Sequence, residues 1–224
     1  YSSAASDVYK RQAFYVAEGS QFYIRWFTPE VEVSLCGHAT LAAAHVLFNH
    51  EGYEKDTIEF NCKSGLLKVT KRGDFIELDF PAGFVEEREI PQALIDAGIF
   101  PQNYFVEKNY GLALFDSEEE ILAVKPDFSK LKLVKEDVIV ITAKGKKVDF
   151  VSRVFGPKVG IDEDPVTGSA HTRLTPFWAE RLNNTKMEAI QLSKRRGFLK
   201  VENKGERVLM SGEAVTYLIG EINP

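Results

Sequence analysis

The stretch VSLCGHATLAAAHVLF, residues 33–48, is apolar at almost every position and carries no polar stripe. A surface helix shows one apolar face, so a helix here must be enclosed on all sides. The flanking chain reads as strands. AFYVAEGSQFYIRWF (13–27) reads as two strands about a Glu18-Gly19 turn, and VIVITAKGKKVDFVSRVF (138–155) reads the same way about Lys144-Gly145. TIEFNCKSGLLKVTKRGDFIELDF (57–80) and AIQLSKRRGFLKVENKGERVLMSG (189–212) alternate likewise, with hairpin turns at Gly73-Asp74 and Gly205-Glu206. YGLALF (110–115) is a predicted strand, SEEEILAVKPDFSKL (117–131) a predicted helix, and IPQALIDAGI (90–99) a short helix in a linker.

These elements repeat. R-x-F-x-P occurs as RWFTP at 25–29 and RVFGP at 153–157; CGHA at 36–39 and TGSA at 167–170 each open an apolar segment. IEFNCKSGLLKV (58–69) matches IQLSKRRGFLKV (190–201) without a gap, pairing Ile58 with Ile190, and RGDFIEL then lines up with KGERVLM. Four blocks in one order, offset by 128 to 132 residues, make each half one structural unit of strands and one helix. The helix after TGSA contains Pro176, which predicts a kink or a late start. The strand and helix at 110–131 have no counterpart before Ala13, which predicts an incomplete, N-terminally truncated first half.

Composition changes this picture little. Of 224 residues, 44% are hydrophobic and 27% charged, as in an ordinary globular chain. The net charge of −5 argues against a general nucleic-acid binder but leaves room for a local anion site. KGKK (144–147) and KRR (194–196) read as solvated turns. No run reaches the ~20 apolar residues of a membrane span. Two cysteines make no disulfide framework, so the default compartment is the cytoplasm. Cys36, Cys62 and four scattered histidines lack zinc spacing, so no metal site is expected, and no nucleotide-loop or serine-hydrolase motif occurs. YSSAASDVYKRQ, residues 1–12, has no period and reads as a non-native leader.

The candidate chemistry lies at the two helix starts. A helix N-terminus presents unpaired N–H groups and the positive end of its dipole, and glycine lets a ligand approach the backbone. Gly37-His38 and Gly168-Ser169 each stand at such a start, and a pseudo-twofold relation of the halves would let them hold one carboxylate from both sides. Asp164 is either an acid/base group or a turn residue ahead of Pro165. Cys36 is either a proton-handling thiol or a small buried hydrophobe. Asp162 and Glu163 read as solvated, His45 as packing, and His50 and His171 receive no role.

RWFTPEVEVSLCGHATLAAAHVLF, DFVSRVFGPKVGIDEDPVTGSAHTRLTPFWAERL, QLSKRRGFLKV and SGEAV together resemble the PhzF-like phenazine-biosynthesis family, from about Ala13 to the C-terminus. The resemblance implies an α+β, diaminopimelate-epimerase-like fold: two similar halves, each an antiparallel or mixed β-barrel around a central helix, here with the first half incomplete. The expected extents are 13–100 and 101–224. It implies a homodimeric isomerase that needs no cofactor and moves a proton on a small anionic substrate. The best-studied members act on a cyclic dihydro hydroxyanthranilate. Carried over by motif, the catalytic residues are His38 and Asp164, with Cys36, Gly37, Gly168 and Ser169 binding substrate.

Two departures matter. The related epimerases use a cysteine pair, whereas Thr167-Gly168-Ser169 here offers no second thiol. The family's principal acid/base is a Glu in an S-E-T-A-F-like stretch that aligns with KRQAF, which puts Arg11 at its position. Arginine cannot give up its proton, so the chain as it stands is expected to be an impaired isomerase. The alternatives are a cysteine-dependent amino-acid epimerase and a non-catalytic anion-binding protein on the same fold.

Overall fold

Gly19 takes φ +63°, a left-handed conformation that suits glycine, and closes a hairpin in which Glu18 faces Gln21. The turn residues are thus Gly19-Ser20, one position beyond the expected pair. The computed structural model describes residues 12–27, 31–33, 35–63 and 65–220. Arg11 and the expected leader lie outside the described residues, except Gln12, which pairs with Phe27 as the first residue of a strand.

Contacts divide the chain into two units, 1–80 with 209–224, and 81–208. The division falls after Phe80 rather than at residue 100, because strands up to Phe80 pair in register with their predecessors. The final strand also returns to the first unit's order.

In the first unit, β1 (Gln12–Glu18) and β2 (Gln21–Phe27) are antiparallel, and the two-residue β3 (Glu32–Val33) pairs with β2. Helix α1 (Gly37–His50) follows, and β4 (Thr57–Cys62) returns parallel to β2. β5 (Gly65–Arg72) and β6 (Phe75–Pro81) complete an antiparallel meander. α1 forms because Ala39 and Ala42–Ala44 are strong helix formers. It packs against β1 and β5, burying Ala39, Thr40, Ala43, Ala44 and Leu47. The small alanines let the strands come close, while Ile24, Trp26, Ile58, Phe60 and Val69 fill the remaining volume.

The second unit begins with β7 (Glu86–Arg88), α2 (Gln92–Asp96), β8 (Asn103–Glu107) and β9 (Tyr110–Leu114). The single helix expected over 117–131 is two: α3 (Glu118–Ala123) and α4 (Phe128–Leu131). Pro126 is the reason. A residue before proline is pushed out of the α region, and the extended Val124 (ψ 123°) already ends α3. Asp127 then restarts the chain as an N-cap, accepting from the Ser129 and Lys130 N–H groups.

β10 (Val138–Lys144) runs parallel to β9 and antiparallel to β11 (Phe150–Gly156), the hairpin expected about Lys144-Gly145. β12 (Ile161–Asp164) pairs with β11, α5 (Gly168–Leu182) follows, and β13 (Lys186–Gln191) returns parallel to β11. β14 (Gly197–Asn203) completes the hairpin, and β15 (Arg207–Gly212) stands beside β6 in the strand order. Among the described residues no helix is long and apolar enough to cross a membrane.

α5 does not start late. It begins at Gly168 and runs past the proline. Proline cannot donate to the Thr172 carbonyl one turn back, and that carbonyl instead accepts the Gly83 N–H at 3.1 Å.

The two units resemble each other in bonds as well as in element order. Arg25 and Arg153, the arginines of R-x-F-x-P, sit 4.9 and 5.0 Å from the ring centroids of Phe27 and Phe155. Each also pairs with a carboxylate ahead of the glycine motif, Arg25 with Glu32 (3.0 Å) and Arg153 with Glu163 (2.8 Å). Glu163 is therefore ion-paired and partly buried, not solvated as expected. Arg153 also donates to the Ile121 and Val124 carbonyls at the end of α3.

The ungapped match of Ile58 with Ile190 does not survive the register. Ile58 faces Val69 and Phe60 faces Leu67; Met187 faces Val201 and Ala189 faces Leu199. Ile58 thus corresponds to Met187, and the hairpin carries five connecting residues (192–196) in the second unit against two (63–64) in the first. The longer loop hid the shift, because Leu-Lys-Val recurs on the far strand.

The second unit's core contains a buried Tyr104 whose hydroxyl donates to Glu136 at 2.8 Å, and Gly111 leaves it room. A Cβ on Gly111 would lie 2.0 Å from that hydroxyl. Gly111→Ala is expected to cost about 2–3 kcal/mol by urea unfolding, through overpacking and loss of the Glu136 bond. Adding Tyr104→Phe should make the double variant less unstable than the sum of the two.

Candidate functional site

Each unit presents its glycine motif at the start of a helix whose N-cap side chain makes no capping bond. Cys36 is the extended N-cap of α1 and Thr167 that of α5, and neither makes a side-chain cap bond. First-turn N–H groups of both helices are left to other acceptors.

In the first unit, Cys36 is buried and its Sγ lies 3.5 Å from His38 Nε2 and 3.9 Å from Nδ1. Gly37 is buried and His38 is half-buried. The three sequence-derived residues are therefore together, as a thiol–imidazole pair beside bare backbone. Thr40 donates from Oγ1 to the Cys36 carbonyl at 2.7 Å, which fixes the extended residue ahead of the helix.

In the second unit, Asp164 ends β12 and Thr167 precedes α5. Thr167 would ordinarily accept from its own helix's N–H groups; here its hydroxyl donates to Asp164 Oδ2 at 2.7 Å. Gln191, fully buried at the end of β13, completes the arrangement. Its Oε1 accepts the Thr167 N–H at 2.8 Å, and its Nε2 donates to the Asp164 carbonyl (2.5 Å) and Thr167 Oγ1 (3.2 Å). Ser193 Oγ donates to the Pro165 carbonyl at 2.8 Å. Gly197 lets β14 pass under this loop, since a Cβ there would stand 2.2 Å from Val166 Cγ2. Asp164 thus accepts from a hydroxyl three residues on, an arrangement compatible with both an acid/base group and a turn residue.

Ser169, in the first turn of α5, shares a 2.7 Å hydroxyl–hydroxyl bond with Tyr110. Sequence reasoning missed Gln191 and Tyr110. For Gln191 a signal existed: it follows Met187 and Ala189 on the core-facing alternation of β13, where a polar residue needs a reason. Nothing comparable marks Tyr110.

His171 lies one turn into α5 and is completely buried. Its Nδ1 is 2.9 Å from the Thr167 carbonyl, the position Thr40 occupies toward Cys36 in the first unit. Phe150 and Trp178 pack nearby, and Nε2 meets no partner among the described residues. Burial pushes its pKa down to about 4. His45, expected as packing, is half-buried and bonded to Thr216 Oγ1 at 2.9 Å; His50 reaches the same oxygen at 2.7 Å. Both cysteines are free thiols, and among the described residues no three His, Cys, Asp or Glu side chains gather to hold a metal ion.

The fold defines a class: a sheet-rich α+β protein of two units, with a glycine motif at the start of α1 and of α5. The chain belongs to the phenazine biosynthesis-like protein family, whose sequence profile matches residues 8–220. It is 44% identical over 212 residues to an uncharacterised isomerase of Pseudomonas aeruginosa, covering 94% of this chain and 82% of that protein. The crystal structure of a PhzF-family protein from Enterococcus faecalis superposes with a TM-score of 0.87 at 43% identity, over 91% of this chain and 78% of that one. A hydroxyproline epimerase from Agrobacterium vitis shares the fold alone, with a TM-score of 0.64 at 11% identity, over 92% of this chain and 72% of that one.

The buried neutral His171 links stability to pH. Its folded pKa lies below the ordinary 6.5, so the unfolded chain binds the proton more readily. Its contribution is fully present above about pH 6.5 and is lost as pH falls toward 4, by up to about 3 kcal/mol. Unfolding free energies of the unaltered protein and His171→Gln, measured between pH 7.5 and 4.5, should converge as the pH falls.

Proposed function

We propose that the chain is an isomerase of the PhzF type, which moves a proton on a small carboxylate-bearing substrate without a cofactor. Family membership and the isomerase names of its relatives support the reaction class. The single observation that carries the site is the Thr167 hydroxyl bonded to Asp164 at the start of α5. It orients a carboxylate for proton handling and leaves the helix N-terminus open to an anion. In this reading Asp164 and His38 orient and polarise the substrate. Gly37, Gly168 and Ser169 take its anionic group, and Cys36 lines the site. The principal proton shuttle is the Glu for which Arg11 stands, so the chain is a slow catalyst as it is. We further assign it to the cytoplasm, on its two cysteines without a disulfide framework, and to a homodimer, on the family resemblance alone.

The 3.5 Å approach of Cys36 Sγ to His38 Nε2 favours a second reading, in which the thiol itself carries the proton, as in a cysteine-dependent epimerase. Thr167-Gly168-Ser169 supplies no partner thiol, which places this reading second.

Three measurements test these readings. Hydroxyanthranilate, an aromatic carboxylate of the skeleton implied by the family, should bind at least about tenfold more tightly than its carboxamide by titration calorimetry. Equal affinities would remove the anion site. Arg11→Glu should raise solvent-deuterium incorporation into cyclic dihydro hydroxyanthranilates by about 10²–10⁴-fold, and Asp164→Asn in that background should abolish the gain. Cys36→Ser in the same background should change the rate less than about threefold; abolition would instead establish the cysteine-dependent reaction.

A further inference from the structure

We propose that Tyr110 is a positioning residue for the Ser169 anion contact, delivering a hydrogen bond that turns the Ser169 proton outward to the substrate. The inference rests on the reading of Ser169 as substrate-binding.

Tyr110 opens β9, far from Ser169 in sequence, and its hydroxyl meets Ser169 Oγ at 2.7 Å. Its ring is fixed by an ion pair. The Arg173 guanidinium carbon lies 4.0 Å from the ring centroid, and Arg173 Nε donates to Glu107 Oε2 at 2.7 Å, both charged side chains being only 14% exposed. Arg173 Nη1 donates to the Ser169 carbonyl at 2.8 Å and to Thr172 Oγ1 at 2.9 Å, which ties the serine's backbone to the same cation. Gly83 provides the space, since a Cβ there would be 2.8 Å from Arg173 Cγ.

This cation is not a ligand-binding group. Glu107 neutralises it, and two further acceptors occupy its remaining fork. The hydroxyl pair is different. Two hydroxyls carry two protons, their mutual bond uses one, and the other is left to donate. An anion at the start of α5 selects the arrangement in which Tyr110 donates to Ser169 and Ser169 donates to the anion, because the bond to a charged acceptor is the stronger one. Phenylalanine at 110 would keep the ring on Arg173 but let the serine rotor turn freely.

The test uses hydroxyanthranilate as the probe, with Tyr110→Phe, Ser169→Ala and the double variant. Each single variant should weaken binding roughly threefold to tenfold, and the double variant should bind no worse than Ser169→Ala alone. The protein labelled with 3-fluorotyrosine supplies a readout that needs no folded variant at position 110. One of its tyrosine ¹⁹F resonances should shift on adding hydroxyanthranilate, not on adding the carboxamide, and not in Ser169→Ala. Additive losses, or a ¹⁹F shift that persists in Ser169→Ala, would overturn the inference by making Tyr110 act independently. A silent Tyr110→Phe beside a weakened Ser169→Ala would overturn it while leaving the anion site standing. A silent Ser169→Ala would remove the anion contact at Ser169, and the positioning role with it.

Discussion

A threonine hydroxyl has one proton, and Thr167 gives it to Asp164. At the N-cap of a helix that hydroxyl ordinarily turns inward and accepts from the first-turn N–H groups. Here the turn is outward, and Gln191 enforces it by occupying the Thr167 N–H and a lone pair of its hydroxyl from the buried end of β13. One choice of rotamer therefore does two things. It fixes the side chain of Asp164 at the end of β12, and it leaves α5 without a capping bond from its own N-cap side chain. Forgoing a cap costs about 1 kcal/mol of helix stability. Burial of Leu174, Phe177 and Trp178 along α5 offsets that several times over.

The same logic explains why the second unit's polar network is so thoroughly bonded. Gln191, Thr167 and His171 are buried, and a buried polar group without a partner costs more than a bond gains. Gln191 is accordingly satisfied at both ends of its amide. His171 is the exception: one nitrogen faces the Thr167 carbonyl and the other meets nothing among the described residues. Such a ring stays neutral, so His171 adds no charge beneath the start of α5.

Much of this was legible in the residues. The helix at 37–50, the alternating strands and their order follow from period, because burial leaves a mark at every second or fourth position; the expected enclosure of that helix does not hold, since Leu41, Ala42, Val46 and Phe48 stay half-buried among the described residues. The misses have physical causes. Over 117–131 the apolar spacing is helical throughout, yet Pro126 excludes the α conformation ahead of it, and a local rule defeated the periodic one. The Ile58–Ile190 equivalence failed because a turn length is invisible to a match carried by the strand beyond it. Tyr110 was unreadable for a different reason: its role depends on a contact across fifty-nine positions, and no pattern along a chain encodes that distance.

The two units also share bonds between unlike residues. The residue four places into each central helix bonds back to the N-cap carbonyl, Thr40 to Cys36 and His171 to Thr167. A hydroxyl and an imidazole do the same geometric work, so the constraint falls on the bond and not on the residue type. R-x-F keeps both its residues, because the guanidinium must reach a ring two positions on and a carboxylate beyond it at once. The helix starts themselves differ most: Cys36 and His38 in one unit, Thr167 and Ser169 in the other. Each start keeps a glycine while its polar side chains change completely.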